Sequence, residues 1–165
     1  MEKTRKLFLY LFWIIVLVVL FFICKSYLDY RNNPNQNPTT LTQNGVKTVT
    51  LYPNDGRSYL VNGYLNDVPV TFLVDTGASV VSIPLHIANQ LHLQKGMPSQ
   101  VMTANGTIEV FYTKINSLRV GDIQLENING FINPHDQSDD VLLGMNALKH
   151  LTFIHENGKL ILKQY

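Results

Sequence analysis

The chain has 165 residues, enough for one compact domain and little more. Charged residues make up 15% and the formal net charge is +1, so bulk electrostatics offer no grip for nucleic acid. A single cysteine excludes both an intrachain disulfide and a thiolate metal cluster.

Residues 7–24 (LFLYLFWIIVLVVLFFIC) carry no charge, no Gly and no Pro. A run of that length is sufficient for a bilayer-spanning helix. It shows no polar face, as a buried soluble helix would. It also ends on Phe21-Phe22-Ile23-Cys24, with no small-residue cleavage site of the signal-peptide kind. The expectation is an uncleaved transmembrane anchor over residues 1–24. Lys3, Arg5 and Lys6 precede the run, whereas Lys25 and Arg31 follow it with Asp29 between them. That excess favours a cytoplasmic N-terminus and an extracytoplasmic remainder.

Residues 25–45 are rich in Asn, Gln, Pro and Thr. With so little apolar surface the segment is expected to be a flexible tether. The domain proper is expected over residues 46–165. Its first strands fall at residues 47–51, 59–65 and 68–74, the last two joined at Asn66-Asp67. Residues 84–93 have helical spacing with Pro84 in the first turn, and Met97-Pro98 breaks the pattern. Strands at 101–103 and 107–113 flank Ala104-Asn105-Gly106, a hairpin signal. Further strands are expected at 114–120, 123–125 and 128–132, punctuated by Gly121-Asp122 and Asn127. Residues 144–150 form one or two helical turns, and 152–155 and 159–164 make a hairpin over Glu156-Asn157-Gly158. Many short strands with regular turn signals predict an all-β closed barrel or sandwich with one or two short helices.

The sharpest local feature is Phe72-Leu73-Val74-Asp75-Thr76-Gly77-Ala78-Ser79. An apolar strand that ends by presenting one acid is costly unless the acid has partners or a role. A strand-terminating turn is the plain alternative. Near the other end, Val141-Leu142-Leu143-Gly144-Met145-Asn146 is a second apolar strand that stops at a Gly before a short helix.

The order Asp-Thr-Gly, β-hairpin, then apolar-apolar-Gly before a short helix resembles the retropepsin family, the retroviral-type aspartic proteases. It is most similar to the bacterial members with an N-terminal membrane anchor, over residues 46–165. The resemblance implies that Asp75 is the catalytic aspartate. It implies that the Thr76 hydroxyl locks two active-site loops across a dimer, and that Gly77 permits close backbone approach. Ala104, Asn105 and Gly106 would be the tip of the flap over substrate. Leu143 and Gly144 would pack behind the catalytic loop. Val80, Val81, Ile83, Ile108 and Leu142 are candidates either for apolar subsite walls or for the core.

Aspartic proteolysis needs two carboxylates sharing one proton. The chain carries one Asp-Thr-Gly. Asp139 and Asp140 lack a following Thr-Gly and read as a solvated turn. The second carboxylate is therefore expected from a second copy in a two-fold homodimer. The resemblance implies a protein or peptide substrate in extended conformation, bound as an added strand. Ala78 stands where pepsin-like enzymes place a hydroxyl donor to the catalytic carboxylate, so a less acidic optimum is expected.

No histidine pair among residues 86, 92, 135, 150 and 155 has the spacing of a helical zinc site, and no metal or cofactor is expected. Ser79 and Ser82 lack a nucleophile-elbow motif. The alternative function is a catalytically silent retropepsin-fold module for dimerisation or peptide binding. The intact Asp75, Thr76 and Gly77 argue against it.

Overall fold

The structure, a computed structural model, describes residues 2–103 and 106–165. It begins with a long helix, α1 (Glu2–Asn32), whose apolar side chains lie exposed. By length and composition α1 is long and apolar enough to cross a membrane.

The remainder is mostly strand, arranged in two sheets. The smaller sheet has β1 (Thr40–Gln43), β2 (Val46–Leu51), β11 (Lys159–Gln164) and β10 (Thr152–Glu156) in that spatial order, all antiparallel. The larger follows the order β3 (Leu60–Leu65), β4 (Val68–Val74), β9 (Asp140–Leu143), β5 (Val81–Pro84), β8 (Ile123–Asn133), β7 (Gly106–Val120) and β6 (Pro98–Thr103). β3 also meets β7 at Tyr64↔Arg119 and Leu65↔Leu118. That pairing closes the sheet into a barrel, with β6 left as the outer strand of a projecting hairpin. Two short helices, α2 (Leu85–Gln90) and α3 (Met145–Leu148), follow β5 and β9.

The turns follow their chemistry. Asn66 and Asp67 both adopt positive φ, as do Asn157 and Gly158. This is the backbone of the primed turns that match strand twist. The core is filled by alternate residues of the facing strands, with Phe72, Leu65, Ile83, Ile115, Ile132 and Leu143 fully buried.

Three expectations change. Residues 114–120 continue the strand from Gly106, and 123–133 form one strand, although Asn127 has φ 54. The ladder skips only one pair there, between Ser117↔Glu126 and Ile115↔Ile128. Asn66 Oδ1 accepts from the amides of Asn116 and Ser117 across the gap. Asparagine tolerates the left-handed region, so it kinks the strand without ending it.

The second change is β5, which no turn or alternation signal marks. The third is the segment of residues 25–45. It is not a coil throughout: α1 extends to Asn32, Asn33 and Asn35 are buried, and β1 pairs with β2 through an Asn44-Gly45 turn. The segment has little apolar surface, and its order comes from side-chain amides hydrogen-bonded inside the fold. Composition does not report such contacts.

Candidate active site

β4 and β9 run side by side in parallel, with Leu73↔Leu142 and Val74↔Leu143 in register. The next residues, Asp75 and Gly144, therefore leave the barrel at the same point. Asp75 N–H donates to the Leu143 carbonyl at 3.2 Å. Beyond Val74 the chain turns sharply. Asp75 Oδ1 accepts from Gly77 N–H at 2.8 Å, and the Asp75 carbonyl accepts from Ala78 N–H at 3.3 Å. The carboxylate thus closes its own turn. Asp75 is half-buried, while Thr76 and Gly77 are exposed.

The loop then lies against the start of α3. Met145 N–H donates to the Ala78 carbonyl at 2.8 Å, and Asn146 N–H to the Ser79 carbonyl at 3.1 Å. Gly144 makes this approach possible. A Cβ there would meet the Val80 carbonyl carbon and oxygen at 2.6 Å and the Ala78 carbonyl oxygen at 2.8 Å. No side chain fits against backbone atoms at that range.

Two further residues hold the loop that the sequence reading did not single out. Asn146 Oδ1 accepts from Val81 N–H at 2.9 Å, and its Nδ2 donates to the Asn129 carbonyl at 2.7 Å. One amide thereby ties the loop, β5 and β8 to α3. Its only sequence signal is a polar side chain two residues after Gly144. Tyr59 accepts from Val74 N–H through its carbonyl at 2.9 Å. Its hydroxyl donates to the Gly158 carbonyl at 3.2 Å and lies 2.9 Å from His155 Nε2. The β10–β11 hairpin is thus clasped to the strand that delivers Asp75.

Leu143 and Gly144 are buried directly behind the loop. Val81 and Ile83 are fully buried core residues, which removes them as pocket walls. Val80, Ile108 and Leu142 are half-buried. Ala104 and Asn105 lie outside the described residues. Gly106 opens β7 at φ 114, exposed, opposite Thr103. The hairpin joins the barrel through β7 and β8, next to β5, the strand into which the Asp75 loop runs.

Asp139 and Asp140 are far from Asp75. Asp140 pairs with Thr71, three positions back from Val74, so the separation along the strands is about 13 Å. Asp140 is half-buried. Burial raises its carboxyl above the usual range, and the charges of Asp139 and Asp136 push the same way.

Among the described residues no group of three or more His, Cys, Asp or Glu side chains comes together as a metal cage. His86 Nε2 lies 3.3 Å from Asp139 Oδ1. A groove of about 790 Å³ is bordered by Asn62, Thr71, His86, Arg119 and Asp139, away from Asp75. It is wide open, and its walls come from β3, β4, α2 and the loops beside them, so volume does not identify the reactive site here.

Comparison with known proteins agrees with this geometry. Residues 61–150 match the family described as "gag-polyprotein putative aspartyl protease". The span runs from β3 through α3 and includes both halves of the loop arrangement above. A retropepsin-like aspartic protease from Rickettsia conorii shares the fold with a TM-score of 0.59 and 26% identity, over 78% of this chain and 95% of that one. The EIAV protease bound to the inhibitor HBY-793 is more distant, with a TM-score of 0.43 and 20% identity over 55% of this chain and 84% of that one. An uncharacterized protein in the cobV 5′ region of a Sinorhizobium species is 23% identical over 162 residues, 93% of this chain and 70% of that protein. A closed β-barrel with Asp-Thr-Gly at one strand end, backed by Leu-Gly at its parallel neighbour, and a family match over most of the barrel lead to one assignment: the chain belongs to the retropepsin-like aspartic proteases.

Proposed function

We propose that this chain is a membrane-anchored, homodimeric aspartic endopeptidase that hydrolyses peptide bonds with Asp75 and its copy from a second chain. One observation carries the reading. A single carboxylate, Asp75, is held at a strand end by backbone contacts to Leu143 and Gly77, while the other nearby acids of the chain sit at the far end of β9. One acid of this kind cannot supply both roles in aspartic proteolysis.

Two Asp75 carboxylates about 3 Å apart across a two-fold axis would not both ionise easily, so the pair would hold one proton between them. The ionised member takes a proton from a water as it attacks the scissile carbonyl. The protonated member donates to the carbonyl oxygen. The dyad then passes a proton to the leaving amine. Exposure of Thr76 and Gly77 supports this arrangement, because these residues are free to meet a partner's loop. Thr76 is assigned the cross-dimer hydrogen bond and Gly77 the close approach. An isologous interface of this kind is self-complementary.

The substrate is a protein or peptide segment in extended form, laid as a strand beneath the hairpin whose tip is Ala104, Asn105 and Gly106. Leu143 and Gly144 support the loop from behind. Residues 1–24 serve as the anchor and residues 46–165 as the protease domain, joined by residues 25–45. The charges before α1's apolar stretch orient the N-terminus to the cytoplasm and the protease outward.

The test is hydrolysis of a peptide library by the purified full-length chain, alongside Asp75→Asn. The variant is expected to lose at least about 10²–10⁴-fold in rate while keeping its fold and its dimer. Equal cleavage by both proteins, or cleavage by a chain that sediments strictly as a monomer, would overturn the proposal.

A further inference from the structure

The segment between α1 and the barrel is docked onto the domain. Asn33 N–H continues the helical pattern to Asp29 at 2.9 Å, and Arg31 pairs with Asp55 in the β2–β3 loop. Asn35 is 4% exposed, and both its amide nitrogen and its amide oxygen are hydrogen-bonded. Its Nδ2 donates to the carbonyls of Tyr52 and Leu60, at 2.8 and 2.7 Å, and its Oδ1 accepts from Tyr52 N–H at 2.7 Å. Asn33 Nδ2 donates to Asn62 Oδ1 at 2.8 Å, and Asn33 Oδ1 accepts from Asn35 N–H at 2.9 Å. Farther along, Asp122 N–H donates to Thr40 Oγ1 at 2.8 Å, and β1 joins the sheet. Buried, hydrogen-bonded amides are expensive to pull out, because each group left behind would be unsatisfied.

This fixes a distance. Leu60, a partner of Asn35, is paired with Leu73, two residues before Asp75. Asn35 is therefore within roughly 20 Å of Asp75. Residues 25–32, the helical stretch after the apolar run, rise about 12 Å. With the three residues that follow, Asp75 stands no more than about 40 Å from the end of that run. A free coil over residues 25–45 would by itself extend to about 70 Å.

Resting on the function proposed above, we infer that the substrates are juxtamembrane segments: extended stretches of polypeptide close to the bilayer, in proteins anchored on the same side. The docked segment acts as a short, stiff stand that sets the cutting height. The same folding takes residues 33–35 and 40–43 out of the extended, unpaired form that cleavage requires.

The experiment uses the full-length chain in lipid vesicles with one cleavable peptide in three contexts. It is either soluble, or joined to a transmembrane anchor by a flexible linker of about 60 or about 240 residues, both long enough to span about 40 Å. Beyond that span effective concentration falls roughly as the −3/2 power of total linker length, so a stiff enzyme should cut the shorter-linker substrate about eight-fold faster. A second form carries about 120 Gly/Ser residues inserted between Asn32 and Asn33. In that form both linkers are lengthened together, and the preference should drop to about three-fold. Soluble peptide should be cut equally by the two forms. A preference of three-fold or less in the natural chain, unchanged by the insertion, would overturn this inference while leaving the protease reading intact. No cleavage in any context, indistinguishable from Asp75→Asn, would instead overturn the protease reading and this inference with it.

Discussion

Asn146 Oδ1 accepts a hydrogen bond from Val81 N–H at 2.9 Å across 65 residues of sequence, and this contact closes the back of the Asp75 loop. The same amide donates to Asn129. Asn146→Ala would leave the Val81 N–H and the Asn129 carbonyl without those partners. The expected cost is about 1–3 kcal/mol of stability. Asn146 touches the loop from behind, so it is a positioning residue. Chemical denaturation would give the stability loss, and kcat should fall more than KM rises. An unchanged kcat would show that the loop holds its geometry without this contact.

Gly144→Ala tests the closest approach in the site. The new Cβ would lie 2.6 Å from Val80 backbone atoms and 2.8 Å from the Ala78 carbonyl oxygen. Backbone cannot rotate away as a flexible side chain can, so the loop must shift. Overpacking of this kind costs about 1–3 kcal/mol. We expect a lower melting temperature together with a loss of peptide hydrolysis. Retention of both would mean that the loop has slack.

The pH dependence of stability should carry the mark of Asp140. Its carboxyl is raised above the usual range by burial, with Asp139 and Asp136 adding to the shift. Between the ordinary and the raised value the folded state keeps a proton that the unfolded state has lost. Stability from this group therefore falls as pH rises through that window, and the penalty is complete above it. Asp140→Asn removes the penalty. The variant should be more stable than the natural chain near neutral pH, with the gain vanishing below about pH 4. Denaturant midpoints measured across pH would show it. A gain that persists in acid would assign the effect to something other than ionisation.

Ala78 has a methyl side chain at the position where the family resemblance expects a hydroxyl donor to the carboxylate. Asp75 Oδ1 accepts from Gly77 N–H, and Ala78 contributes only its backbone. A donor to the ionised form lowers a carboxyl's proton affinity. The natural chain should have its optimum well above the range of a gastric enzyme. A peak near about pH 2 would contradict this.

Much of the barrel was legible locally. β4 and β11 fall where alternation and turn chemistry place them, because side-chain period and turn φ values are set by residues a few positions apart. Asp75, Thr76 and Gly77 stood out for the same reason: an acid and a turn at the end of an apolar strand is a local pattern. β5 did not stand out, because four residues bridging a parallel and an antiparallel neighbour carry no period of their own.

The sequence by itself determined that there would be an apolar helix, a β-rich domain and one Asp-Thr-Gly at a strand end. Tertiary structure alone decided that Asp75 emerges beside Gly144, through the parallel pairing of β4 and β9. It also decided that Asn146 braces the loop from behind, and that Asn33 and Asn35 fasten the helix to the barrel. Hydrogen bonds between polar groups 17 to 65 residues apart leave no periodic trace in the chain. An asparagine that will be buried and hydrogen-bonded is spelled the same way as one in a solvated linker, and only the fold distinguishes them.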